Sequence, residues 1–417
     1  MEKIAIIGSG ISGLTCGYLL SKKHDVHMFE ANDYIGGHTA TIDVELNNKN
    51  YAIDTGFIVF NDRTYPNFEK LLSQINISPY PTEMSFSVHN ELTALEYNGH
   101  SFSSLFAQKR NLFNPQFWRF LAEIIKFNRR CHQLYNSDTY PDINLGEFLN
   151  QQGFSTFFCE HYILPMGAAI WSASLDDAKA FSIKFFIQFF HHHGLLNIIN
   201  RPQWYVLKDG SRSYIPELTA AFKHQIYLST PVTSVKRENN QIQLQINQGE
   251  WQTFDKVIFA CHSDQALSLL DTPTQDEQQV LSNLCYQKND VVLHTDRKLL
   301  PTRRKAWASW NYRLDGNKTR PSSVTYNMNI LQRLPANSPL FLVTLNQTEQ
   351  INHNKIIRQF VYEHPVFNQQ SQQAQQRKND ICGPNNTFYA GAYWHNGFHE
   401  DGVKSALNVC EKLGVSL

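Results

Sequence analysis

The residues best placed to do chemistry lie near the start of the chain, in Gly8-Ser9-Gly10-Ile11-Ser12-Gly13 and in Glu30. Ile4-Ala5-Ile6-Ile7 reads as a short buried strand running into the glycine turn, and Leu14, Gly17, Tyr18 and Leu20 continue with helical spacing. Strand, glycine turn and helix form the dinucleotide-binding fingerprint. Gly8 permits the tight turn, Gly10 admits a pyrophosphate to the backbone, and Gly13 lets the helix pack on the strand. The amides of Ile11 and Ser12 then face phosphate oxygens at the positive end of the helix. A second strand, Val26-His27-Met28-Phe29, ends in Glu30, about 20 residues past the turn, where a ribose-binding carboxylate belongs. Its charge would repel a 2′-phosphate.

Six residues further on come Gly36-Gly37, then His38-Thr39. A nicotinamide domain has no general need for this second glycine pair. FAD does, because its pyrophosphate and ribityl chain continue past the first helix. Here the chain resembles the superfamily of amine oxidases, protoporphyrinogen oxidases and phytoene desaturases, in which a Gly-Gly pair and a basic residue follow the acid. His38 stands where that superfamily usually has Arg. The resemblance implies that Thr55 and Gly56, ending Tyr51-Ala52-Ile53-Asp54-Thr55-Gly56, pass close to the flavin. It implies likewise that the Val232 backbone reads the adenine edge and that Lys256-Val257-Ile258-Phe259-Ala260 re-enters the nucleotide domain. It places Gly391, Ala392, Phe398 and His399, at the start of a last helix running through Leu413, against the ribityl chain and the pyrimidine ring. Ala392 replaces the usual Asp. A narrower likeness rests on the tail Tyr393-Trp394-His395-Asn396-Gly397-Phe398-His399-Glu400-Asp401-Gly402, with Ala306–Tyr312 and Thr325–Asn329 upstream. It is similar to the FAD-binding oxidoreductases that accompany cyclopropane-fatty-acid synthases. That likeness implies a hydrophobic or acyl substrate and a companion of the lipid-modifying methyltransferase type.

By the same resemblance, Lys288 matches the amine-oxidase lysine that holds a water near flavin N5, and Phe398 matches the aromatic wall beside the ring, with Trp394 close by. His399 and His395 are candidates for proton transfer or for structural hydrogen bonding. Glu400 and Asp401 read as stabilisers of a helix start, and Trp171 and Trp310 as pocket or core aromatics. His191-His192-His193 reads as a solvated helix end, because three consecutive histidines cannot converge on one ion, and no metal site is expected. The functions left open are desaturation of an acyl chain with hydride passing to N5, amine oxidation, double-bond isomerisation without net redox, and lipid presentation without catalysis.

These residues need a scaffold, and 417 residues suffice for two or three domains. The expected fold is α/β: a Rossmann-like FAD-binding domain, discontinuous over 1–75, 200–270 and 380–417, with an inserted α+β substrate domain over 76–199 and 271–379. That insertion reads as a sheet beneath a helical lid. Phe117, Phe120, Leu121, Ile124 and Phe127 recur at helical spacing between Pro115 and Tyr135, and Asn144 can cap a following helix. Residues 181–190 are apolar nearly all round, which suits a core helix, the wall of an acyl tunnel or a surface touching a membrane. The glutamine-rich stretch 368–373 reads as solvated.

Formal charge is balanced, 37 basic against 37 acidic residues, so no nucleic-acid partner is expected. No apolar run is long enough to span a bilayer. Seven cysteines without a Cys-x-x-Cys pair argue against a disulfide framework. With the first strand beginning almost at Met1, the expectation is a cytoplasmic protein without a signal peptide.

Overall fold

The computed structural model describes residues 1–417. Its centre is a five-stranded parallel sheet in the order Ile226–Tyr227, Asp25–Phe29, Lys3–Ile7, Lys256–Phe259, Thr387–Tyr389. The first strand is central, which explains the unbroken apolar run of Ile4, Ala5 and Ile6: both faces are covered, and all three are fully buried. The first helix, Ile11–Leu20, and the last, His399–Lys412, pack closely on one another. A Cβ on Gly402 would lie 2.7 Å from the Ile11 side chain, and Ser12 Oγ donates to the Gly402 carbonyl at 3.0 Å.

A seven-stranded mixed sheet forms the second body, ordered Ile356–Pro365, Tyr286–His294, Leu342–Leu345, Val324–Asn327, Trp310–Leu314, Phe86–Asn90, Leu95–Asn98. Helices cover one side of it. The longest, Pro115–Ser137, is started by Asn114, whose side chain accepts from Gln116 N. A second, Leu145–Gln151, opens with a reciprocal Asn144–Glu147 capping box. The apolar helix Ile183–His192 buries Ile183, Phe186, Ile187, Phe189 and Phe190 in the lid core. No helix is long and apolar enough to cross a membrane.

Packing corrects the expected domain limits in two places. Val280, Leu281 and Leu284 belong to the core of the parallel sheet, so that body extends past residue 270. Conversely, the hairpin Thr41–Leu46 with Lys49–Asp54 sends Val44 and Ile53 into a small core with Val291, Leu293 and Phe341 of the mixed sheet. Residues 368–373, largely exposed as expected, start a helix. Asn368 caps the helix Gln369–Gln376, and Ser371 and Ala374 are buried. From this helix Gln375 Nε2 donates to the carbonyls of Tyr393 (2.8 Å) and His395 (2.6 Å), pinning the C-terminal turn.

Candidate active site

One cleft of about 1230 Å³ runs from the glycine turn to the lid. Its nucleotide end is built by the carboxyl ends of the parallel strands, where ligands bind in open α/β sheets. Gly8 has φ +104°, and a Cβ there would stand 2.8 Å from Ala260 O. A Cβ on Gly13 would lie 2.1 Å from Gly8 O, so the helix can approach the strand only with glycine at this position. Gly10 differs from both, since a Cβ there would meet nothing within 4 Å. Protein packing does not require a glycine at 10, and the space beside it is open to an occupant of the cleft. No side chain caps the first helix, and its first turn holds no acid, so its N-terminal amides are left for an anion.

Glu30 is buried and rigidly held. Its Oε2 accepts from Ser9 N (2.9 Å) and Ser9 Oγ (2.6 Å), and its Oε1 from Asn32 N and Nδ2 (both 2.9 Å). Gly36 and Gly37 both take positive φ, and Gly37 lies against Gly10. Val232, Thr55, Gly56, Gly391 and Ala392 all line the same cleft, with Thr55 Oγ1 2.8 Å from the Tyr362 hydroxyl. His38 is enclosed with His262 and His364, at ring-centre distances of 6.3 and 5.7 Å. Burial first, then the two neighbouring imidazoles, push its pKa down to about 3, and its Nε2 is buried without a partner. These surroundings favour the neutral ring, so His38 differs from the Arg usual at this place, which carries a permanent charge.

The lid end is apolar, lined by Tyr162, Met166, Ile170, Trp171, Phe189 and Phe398, with Trp310 and Tyr326 on the sheet side. Trp171 and Trp310 each carry a buried indole N–H with no partner. Phe398 packs against both the nucleotide core and the lid core, its ring 5.3 Å from Phe189. The only carboxylates on the cleft wall are Glu30 and Glu363.

Three expectations need correction. Trp394 is not on the cleft: it is buried in the nucleotide core against Tyr393, with Lys378 Nζ 5.6 Å from its ring centre. Lys288 stands at the cleft rim, not beside the apolar wall. Its side chain is 77% exposed and turned toward Glu363, 3.9 Å away across the strand pair. The histidine run is a solvated end only as far as His192, which is exposed; His193 is buried on the cleft wall, stacked on Phe189 (3.9 Å) and 5.5 Å from Phe398. Burial brings the His193 pKa down to about 3, and its Nδ1 has no partner.

His399 backs the cleft with its imidazole engaged, Nε2 2.9 Å from Tyr214 OH and the ring 3.7 Å from Phe57 in a stack. Burial and His38 lower its pKa to about 3, which favours the structural alternative. Glu400 accepts from Asn67 N, Asn67 Nδ2 and Phe68 N, so it caps the neighbouring helix Pro66–Gln74. Asp401 accepts from Asn396 N and Phe398 N at the start of its own helix. His364 went unrecognised in the sequence. Its Nδ1 lies 3.0 Å from Ser172 Oγ and 3.2 Å from Asn289 Nδ2. An amide nitrogen only donates, so the ring proton sits on Nε2. No local signal in Tyr362-Glu363-His364 announces this; the partners come from the lid and the adjacent strand.

A parallel sheet with an uncapped glycine turn, a fixed strand-end acid and an apolar lid is the arrangement of a dinucleotide-binding enzyme with a hydrophobic substrate cleft. The chain belongs to the flavin-containing amine oxidoreductase family, whose sequence model matches residues 11–353. It is an FAD-dependent oxidoreductase, and the residues above fit that cofactor: the Gly10 gap and first-helix amides its pyrophosphate, Glu30 its ribose. Among solved structures it resembles the CLA-producing fatty acid isomerase from P. acnes (TM-score 0.69, 16% identity, 99% of this chain and 98% of that one). It also resembles cyclohexylamine oxidase from Brevibacterium oxydans IH-35A (0.69, 12%, 99% and 99%) and a putrescine oxidase bound to putrescine (0.64, 12%, 99% and 98%). At such identities the likeness is one of fold. No curated protein matches the chain by sequence.

Proposed function

We propose that this oxidoreductase desaturates a long hydrophobic chain, a fatty-acyl group: a hydride leaves a carbon held against Phe398, and the neighbouring carbon gives up a proton, which the unpartnered Nδ1 of His193 would pass on to solvent. Bound FAD supplies the acceptor for that hydride. The observation that carries the reading is the lid end of the cleft, where aromatic and aliphatic side chains converge without a carboxylate. A cationic amine entering there would lose its hydration and gain no counter-ion. An alkyl chain gains about 0.8 kcal/mol per buried CH₂.

Phe398, Phe189 and Trp171 would form the wall on which the chain lies, and the wall keeps water from the reacting carbon. His193, neutral and unpartnered beside Phe398, is the polar group this wall offers to the substrate. Arg201 lines the cleft on its exposed side and would meet an acyl carboxylate. A lipid-modifying companion enzyme, supplying or consuming the acyl chain, would suit this substrate.

Anaerobic mixing of the FAD-loaded protein with unsaturated fatty acids, and separately with primary amines, tests the proposal. Bleaching of the flavin by fatty acids, with a desaturated product by mass spectrometry, is the expected result. Bleaching by amines alone would overturn it. Catalytic turnover of a fatty acid without lasting bleaching would replace desaturation with isomerisation at the same site.

A further inference from the structure

The long lid helix Pro115–Ser137 buries Phe117, Phe120, Phe127, Cys131 and Leu134 and turns a second stripe outward. That stripe is Trp118, Ala122, Ile125 and Arg129, at helical spacing and all exposed. Trp118 is tied by its indole N–H to Leu112 O (2.9 Å), at the end of the turn carrying Phe113, which is 87% exposed. Phe102, 68% exposed, packs on the buried Phe106, which Trp118 also contacts (ring centres 4.8 and 5.4 Å). Phe102 and Trp118 therefore flank Phe106 as one protruding aromatic group, with exposed Phe113 on the adjoining turn and Ile125 two turns further along the helix.

The same segment is strongly cationic. Residues 99–137 hold Lys109, Arg110, Arg119, Lys126, Arg129 and Arg130 against a single acid, Glu123, in a chain of zero net formal charge. Glu123 is itself buried, accepts from Ser155 N and Oγ and pairs with Arg119 at 3.5 Å, which leaves five cations on this segment without an acid. We infer that this face docks on an anionic lipid bilayer, the aromatic group entering the interface and the cations meeting headgroup charge. A protruding aromatic group ringed by Lys and Arg suits a fluid anionic surface better than a shaped protein partner. Gly99, on the cleft wall, is three residues from Phe102, so docking would set the cleft beside the membrane. The inference replaces helix Ile183–His192, now buried, as the membrane-facing element. It does not depend on the chemistry in the cleft.

The test is co-sedimentation of the FAD-loaded protein with vesicles of phosphatidylcholine alone and of equal parts phosphatidylcholine and phosphatidylglycerol. Binding to the anionic vesicles only, weakened by added salt, is expected. Phe102→Ser with Phe113→Ser, and separately Lys109→Glu with Arg129→Glu, should each lower partitioning at least about tenfold. Both variants should keep their melting temperature and their flavin. Equal binding to neutral vesicles, absence of binding, or unchanged binding by the variants would overturn the inference. So would a dimer in solution that Phe113→Ser abolishes, which would make this face a contact between copies.

Discussion

Gly10 and Gly13, three residues apart, should fail in opposite ways when given a methyl group. Gly13→Ala forces the backbone apart at Gly8 and should lower the melting temperature even without cofactor. Gly10→Ala should leave the apoprotein's melting temperature unchanged and weaken FAD at least about tenfold, near 1.4 kcal/mol, by calorimetric titration. A second residue-scale prediction concerns Asp54. Burial raises its pKa to about 6, although Thr41 Oγ1 and Ser211 N and Oγ donate to its Oδ1; its Oδ2 has no partner. A folded-state value above the unfolded 3.8 means folding favours the protonated form. The stability it confers is present below pH 4 and is lost as pH rises from about 4 to 6, on the order of 2–3 kcal/mol. Asp54→Asn should flatten that part of the urea-unfolding profile between pH 4 and 7. The glycines and Glu30 were legible because their roles are set within one turn or one strand. His38, His193 and His364 were not, because their neutrality comes from elements far along the chain that close over them.

Elements bring those residues together, and the glutamine-rich helix Gln369–Gln376 shows how composition can mislead. Its outward face is polar, as expected, but Gln375 holds two carbonyls of the turn that leads to Phe398. Gln375→Leu should cost about 1–2 kcal/mol in stability and speed FAD release in stopped-flow displacement, since both carbonyls lose their donor. The signal was present in Asn368 and Ser371, spaced as a reciprocal cap, but a low-complexity reading passes over caps. Helices with strong apolar periodicity were readable almost to their ends, Pro115–Ser137 above all. The hairpin Thr41–Asp54 was not, because alternation identifies a strand without saying which body its buried face joins.

At the scale of the whole molecule, two large cores meet across a cleft, and Phe398 packs into both. FAD would lie along that seam. In scanning calorimetry the apoprotein should unfold in two transitions, the FAD-loaded protein in one at higher temperature. Cofactor at 100 times its dissociation constant adds about 2.7 kcal/mol by mass action. Two superimposed single transitions, with and without FAD, would contradict this picture. The division into two bodies was readable from the order of the strands; the limits near 270 and 41 were not, since they are drawn by packing. The parallel sheet carries a further implication for how the protein is made. Its first strand is made long before the edge strand Thr387–Tyr389 and the helix His399–Lys412, which rests on Ser12. The glycine turn thus stays uncovered until those later elements arrive. Loading of the cofactor must then wait for these elements to close the sheet, in competition with any partner that grips the unfinished edge.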